Sequence, residues 1–223
     1  MEKVKGIIFD LDGVIVDTAR LHSAAWKRLA EDIGVKLSEE VAIKQRGIDR
    51  MNSLELLLQS AGITGIKYEE KLALAEKKNR YYLEYVKYLS RKDLLEGALD
   101  ALQTSQQSGY QIALGSASKN AEMVLKSLDI FKYFDFVVDP RNLSSKPHPD
   151  IFLTAARGLG LPPKNCVVFE DSYAGLKAAN TAKMNAVGIG KLQDFEGLSF
   201  ETVIPSLLYW SFIDMKELVD HFI

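Results

Sequence analysis

The chain has almost nothing to hold it together covalently. Its 223 residues contain one cysteine, Cys166, which excludes an intrachain disulfide and fits a reducing compartment. Cys166 stands in the apolar run CVVF and reads as a small buried hydrophobe in preference to a reactive thiol. A surplus of one charge is also missing. There are 28 Lys and Arg against 30 Asp and Glu, and the net charge of −2 argues against a nucleic-acid or anionic-membrane surface. No stretch approaches the roughly 18 uninterrupted apolar residues of a membrane span. The longest candidate, VIPSLLYWSFI at 203–213, is broken by Pro205, Ser206 and Ser211. MEKVKGIIFDLDG lacks the apolar segment of about 7 to 15 residues found in a secretory signal. There is no internal repeat and no low-complexity segment. The expectation is a cytoplasmic, monomeric protein with no nucleic-acid or membrane partner.

What is present is the composition of an ordinary globular protein, 47% hydrophobic and 26% charged. Short apolar runs rich in β-branched residues read as buried parallel strands: VKGIIF (4–9), YQIALG (110–115), DFVVD (135–139), NCVVFE (165–170), NAVGIG (185–190) and the weaker TVI (202–204). Helix-period segments at 97–108, 119–129, 149–160 and 173–183 lie between them. This alternation predicts an α/β fold built on a doubly wound parallel sheet. One interval breaks the rhythm, the long stretch from Asp12 to Ile112. TARLHSAAWKRLAEDIG (18–34), MNSLELLLQSAG (51–62) and YEEKLALAEKKNRYYLEYVKYL (68–89) carry helical spacing there, with Leu54, Leu57, Leu58 and Ala61 on one face and Gly34 and Gly62 where helix C-caps belong. The expected organisation is a core of residues 1–16 and 93–223 with an all-helical cap, 17–92, inserted into it.

In open parallel sheets ligands bind beyond the carboxyl ends of the strands. After IIF comes Asp10-Leu11-Asp12-Gly13; after IALG comes Ser116-Ala117-Ser118-Lys119-Asn120; after CVVF comes Glu170-Asp171-Ser172; and SSKPHPD with Lys146 precedes the helix at 149. Asp-x-Asp-Gly alone arises by chance in about one chain in twenty of this length. Ser118 and Ser172 also suit helix N-caps, as do Asp17 and Thr18. Caps do not explain acidic pairs at two separate strand ends. Four crowded carboxylates call for a cation, and an all-oxygen set suits Mg²⁺. A cation beside a lysine, a hydroxyl and helix N-terminal amides suits a phosphate guest. A strand-end carboxylate can then serve as nucleophile, and a second one two residues on as acid and base.

FDLDGV with Ser116, Lys146 and EDSYAG resembles, in order and spacing, the four signatures of the haloacid dehalogenase superfamily of phosphotransferases. The fragments FDLDGVIVDTARLHSAAW, RGIDRMNSL, KKN at 77–79, SASKN and SSKPHPDIF resemble the branch that isomerises hexose phosphates. That resemblance implies a Rossmann-like core under a helical cap, with Asp10 as the phosphorylated nucleophile and Asp12 as the general acid and base. It implies Mg²⁺ on Asp10, the backbone carbonyl of Asp12, and Asp171, with Glu170 in support. Ser116 and Lys146 would hold the transferring phosphoryl. Arg50 would grip the second phosphate, helped by Ala117, Ser118, Lys119 and Asn120. Thr18, His22, Trp26, Gly47 and Lys78 would complete the sugar pocket or position Asp12. The implied reaction converts β-glucose 1-phosphate to glucose 6-phosphate through a glucose 1,6-bisphosphate that also serves as primer. Asp49, Met51 and Asn52 depart from the residues common in that branch.

Two other readings stay open: a plain sugar-phosphate phosphatase with the same core, and a sugar-phosphate binder without catalysis. Tyr81, Tyr85 and Tyr88 fall at helical spacing and read as packing inside the helical domain. Lys71, Lys77, Lys78, Arg80 and Lys87, mixed with Glu70, Glu76 and Glu84, read as a mostly solvated helix face, from which the resemblance alone singles out Lys78. His148 and His221 read as exposed and without partners.

Overall fold

The computed structural model describes residues 4–45 and 50–212. The chain divides into two compact units, Thr18–Leu89 and the remainder on either side of it.

The larger unit is built on six parallel strands: β1 (Gly6–Phe9), β2 (Gln111–Leu114), β3 (Phe136–Val137), β4 (Cys166–Glu170), β5 (Asn185–Ile189) and β6 (Thr202–Ile204). Their order is β3-β2-β1-β4-β5-β6, so the chain leaves β1 in one direction and later returns to its other side. Both neighbours of β1 are level with it: Phe9 pairs with Leu114 and with Phe169. Successive residues of β1 and β4 are fully buried, as expected of strands covered on both faces. On one face Ile8, Ala113 and Val168 meet Phe152 and Ala155 of α7 (Asp150–Gly158) and Leu176 and Ala179 of α8 (Tyr173–Thr181). On the other, Trp210 lies 5.9 Å from the Phe9 ring and 5.0 Å from the Phe169 ring. Helices α5 (Ala98–Gln107) and α6 (Ala121–Ser127) flank β2 in sequence. The expected doubly wound sheet is what forms.

The smaller unit is all-helical: α1 (Ala19–Asp32), α2 (Glu39–Lys44), α3 (Arg50–Ser60) and α4 (Tyr68–Val86). Trp26, Leu29 and Ala30 of α1 bury against Leu54, Leu57 and Leu58 of α3 and Ala75 of α4. Ala61, expected on the Leu54 face, is exposed because α3 stops at Ser60. Gly34 and Gly62 follow their helices at φ +73° and +67°, and Val35 N–H closes on Ala30 O while Ile63 N–H closes on Leu58 O. Helix α2 was not expected; its six residues bury only Val41, too little for a period, and Ser38 starts it by accepting from Val41 N–H at 3.3 Å. Thr18 occupies the N-cap position of α1 without a side-chain cap bond.

The tyrosine stripe needs correction. Tyr88 is 85% exposed, Tyr81 lies under the Arg28 guanidinium at 3.8 Å and donates its hydroxyl to Asp32, and the tyrosine in the core is Tyr82. The surrounding charges form a solvated face, with Lys77 on Asp32 at 2.8 Å and Arg28 on Glu84 at 2.6 Å, except for Lys78, which is buried on the opposite side of α4 with Tyr82. His148 is exposed as expected, and it has a partner in Asp150 at 3.0 Å. Among the described residues no helix is long and apolar enough to cross a membrane. Gly47, Asp49 and His221 lie outside the described residues.

Candidate active site

The sheet register decides which side chains meet. Asp10 follows Phe9 on β1 and its N–H donates to Phe169 O at 3.0 Å, so Asp10 and Glu170 leave neighbouring strands at one level. Gly115 N–H donates to Phe9 O at 2.8 Å, which brings the Ser116 loop to the same edge. Asp10, Ser116 and Glu170 are all buried there.

Lys146 reaches this edge from the loop before α7. Its Nζ lies 2.5 Å from Asp10 Oδ1 and 2.7 Å from Glu170 Oε2, and 4.8 Å above the Phe152 ring. Burial alone would lower the Lys146 ammonium, but the Asp10 and Glu170 carboxylates outweigh it and hold it above its ordinary range. Asp10 is pushed the other way. Burial and then Glu170 raise its carboxyl well above the carboxylate range, even with Lys146 pulling it down and Asp12 adding to the rise.

Ligand oxygens from Asp10, Glu170 and Asp171 lie within 4.8 Å of one another. Asp171 is at the exposed rim, and desolvation followed by the Glu170 charge pushes its carboxyl up to about 7; water at the rim tempers that shift. Two raised carboxyls beside one lysine mark negative charge that side chains alone under-neutralise. An all-oxygen donor set of this kind fits a hard divalent cation. The Asp12 carboxylate is not a member of the trio.

Close approach also explains two glycines. Gly13 sits at φ +79°, and a β-carbon there would lie 1.9 Å from Asp171 Oδ2. A β-carbon on Gly175 would lie 2.0 Å from Glu170 Cδ. Between Leu11 and Val16 the chain folds back on itself: Gly13 N–H donates to Val16 O at 2.9 Å, and Ile15 and Val16 N–H both donate to Leu11 O. Asp12 stands in this tight turn.

In the loop after β2, Ser116 Oγ accepts from Ser118 N–H at 3.1 Å, and Ser118 Oγ from Asn120 N–H at 3.3 Å. Asn120, not Ser118, occupies the N-cap of α6. Ala117 and Lys119 are exposed. Ser172 does cap α8, accepting from Gly175 N–H at 3.0 Å.

The helical unit holds its own polar cluster. Lys78 Nζ lies 2.7 Å from His22 Nδ1, 4.8 Å above the Trp26 ring and 5.3 Å above that of Tyr82. The His22 and Tyr82 rings stack at 4.0 Å. Arg50, the first residue of α3, donates to Asn79 Oδ1 at 2.9 Å. Burial lowers Lys78 to about 7, with Arg50 adding to the fall; burial, Lys78 and Arg50 lower His22 to about 3. His22 is thus neutral at pH 7; when Lys78 is protonated it donates to His22 Nδ1, and the ring proton then stands on Nε2. Thr18 at the N-cap and His22 and Trp26 of α1 follow one another at four-residue spacing, and His22 N–H donates to Thr18 O at 3.0 Å. Tyr82 escaped the sequence reading, although its spacing of four from Lys78 places both on one face of α4.

The haloacid dehalogenase-like hydrolase family model matches residues 4–183. The chain belongs to this family. As a haloacid dehalogenase-like chain it is 41% identical to the β-phosphoglucomutase of Bacillus subtilis over 87% of each sequence. It superposes on a crystal structure of Clostridium difficile β-phosphoglucomutase with TM-score 0.86 and 37% identity, over 97% of each chain. It is also 30% identical to a Thermotoga maritima phosphorylated carbohydrates phosphatase, over 82% of this chain and 84% of that one. Mutases and phosphatases thus share the family's core. Cys166, outside the site, is buried, and burial pushes its thiol up to about 12, as suits a packing residue.

Proposed function

We propose that this chain is a Mg²⁺-dependent phosphomutase that interconverts β-D-glucose 1-phosphate and glucose 6-phosphate. The observation that carries the chemistry is Lys146 held between Asp10 and Glu170, 2.5 and 2.7 Å from their oxygens, beside Asp171 at the rim. Asp10, Glu170 and Asp171, with the backbone carbonyl of Asp12, are the groups that would hold Mg²⁺. When bound it offsets the negative charge of carboxylates and phosphoryl oxygens.

In this reading an Asp10 oxygen attacks the phosphorus of the sugar bisphosphate. The bond from phosphorus to Asp10 forms as the bond to the sugar oxygen breaks. Asp12 gives that oxygen a proton and later takes one from the hydroxyl that receives the phosphoryl group back. Lys146 and Ser116 hold the phosphoryl oxygens during transfer. Arg50 is the candidate grip for the other phosphate, since a guanidinium binds phosphate with two parallel hydrogen bonds. Ala117, Ser118, Lys119 and Asn120 are its candidate helpers in the core, and Thr18, His22, Trp26, Gly47 and Lys78 the candidate sugar-binding and positioning set. Because the phosphoryl group returns to the sugar, glucose 1,6-bisphosphate serves as primer and nothing is consumed.

The likeness to the Bacillus mutase and the desolvated cluster of Lys78, His22 and Arg50 support the mutase. The likeness to a phosphorylated carbohydrates phosphatase keeps hydrolysis as the second reading. The test is incubation with β-glucose 1-phosphate, Mg²⁺ and a trace of the bisphosphate. Glucose 6-phosphate forming without matching inorganic phosphate is expected; stoichiometric phosphate release overturns the mutase and leaves the hydrolase.

A further inference from the structure

The Glu170 carboxylate is buried at the site and held from three directions. Its Oε2 accepts from Lys146 Nζ at 2.7 Å. Its Oε1 accepts from the Ser172 hydroxyl at 2.5 Å and the Ser172 N–H at 3.2 Å. Its Cδ fills the space over α8 that a β-carbon on residue 175 would take. The same Ser172 oxygen accepts from Gly175 N–H at 3.0 Å.

A serine hydroxyl has a single proton and can accept as well as donate. Here the lone pair goes to the helix terminus, and the proton goes to Glu170. These two uses have different chemical requirements. Asp, Asn, Thr and Gly all serve at N-caps, so capping alone does not ask for a hydroxyl. A short bond onto a buried carboxylate does ask for a donor, and among the common caps only Ser and Thr supply one as a hydroxyl.

We infer that Ser172 is a positioning residue for the cation site, fixing the rotamer of Glu170 and, through Glu170 Oε2, the place of Lys146 beside Asp10. The chain of contacts runs from the N-cap of α8 to the proposed nucleophile: Ser172 to Glu170, Glu170 to Lys146, Lys146 to Asp10. Partners that orient ligand side chains are worth about 10- to 100-fold in metal affinity or activity when removed. The inference rests on the reading of the acidic trio as a Mg²⁺ site.

The test separates capping from donation. Ser172→Gly keeps an acceptable cap and loses the hydroxyl; Ser172→Thr keeps both. Mg²⁺ alone is titrated calorimetrically into each full-length protein, and thermal melts are run in chelator. Ser172→Gly is expected to bind Mg²⁺ about tenfold more weakly or worse, with its metal-free melting temperature near that of the parent. Ser172→Thr is expected to stay within about twofold of the parent, since it restores the donor. Parent-like binding by Ser172→Gly, or an equal loss in Ser172→Thr, overturns the role of Ser172. If Ser172→Gly melts below the assay temperature, Ser172→Ala carries the same comparison. Failure of the parent itself to bind Mg²⁺ overturns the reading of the trio, a result distinct from either.

Discussion

Lys146 of the α/β unit is largely buried and Lys78 of the helical unit fully so, and their surroundings treat them in opposite ways. Lys146 ends on two carboxylates, which compensate its burial and hold its proton firmly. Lys78 ends on an uncharged imidazole and two aromatic rings, with Arg50 adding a like charge, and it falls to about 7. The first is a permanent cation suited to anionic oxygens that come and go. The second is a cation that its own surroundings leave under-compensated, so that it gives up its proton near pH 7. Desolvation is common to both, so the partner alone decides which behaviour results.

The largest expected effect comes from removing the group that Lys146 serves. Asp10→Asn should lower phosphoryl transfer by about 10⁴-fold or more while the protein still melts cooperatively. Steady-state turnover and the absence of phosphoprotein by intact mass check this; turnover near that of the parent overturns the nucleophile. Lys146→Met should destabilise the metal-free protein by about 3–5 kcal/mol at pH 8, the cost of stranding buried charge. The loss should shrink toward pH 5, because the Asp171 carboxyl, pushed up to about 7, takes up its proton over that range. Denaturant melts at the two pH values measure both.

Lys78→Met should have the opposite sign. A base whose proton is held less tightly in the folded state costs stability while the unfolded chain is protonated. For Lys78 that cost is full below about pH 7 and disappears as pH rises toward the ordinary lysine value of 10.5. The parent should therefore gain stability between pH 7 and 10, whereas Lys78→Met should be flatter and more stable at pH 7, by a few kcal/mol at most. Parallel curves for the two proteins would erase the contrast between the lysines. The smallest effect belongs to Lys77, one residue away on the solvated face with Asp32 at 2.8 Å. Lys77→Met should leave both the melting temperature and its pH dependence where they were.

The strand ends were legible in the sequence because buried parallel strands are continuous apolar runs, and whatever polar residue follows them must stand at the edge. That logic brings Asp10, Ser116 and Glu170 to one edge of the sheet. Lys146 was expected at the same edge, from the loop before the helix at 149; which two carboxylates it pairs with was not legible, since a loop lysine before Pro147 carries no period and its reach is a tertiary property. Tyr82 was hidden among other tyrosines at helical spacing; only the packing of α4 on α1 distinguishes the buried one from exposed Tyr88. Ser172 looked like an even choice between cap and site residue, and one hydroxyl serves both. Ala61 was misread because a hydrophobic face continues in sequence past the residue where the helix ends.

The turn from Leu11 to Val16 has a consequence for how such a chain can be remodelled. Val16 bridges Leu94 antiparallel, and Leu95 N–H donates to Ile15 O at 2.9 Å. The outgoing and returning segments are therefore stitched together within the α/β unit before the helical unit begins. The entropy of closing that loop is met at its base, so the length and identity of what is inserted matter little to the sheet. Thr18–Leu89 is in this sense a cassette. A different helical module, or a short turn joining Val16 to Leu94, can be grafted at the same root without disturbing the register of β1 and β2.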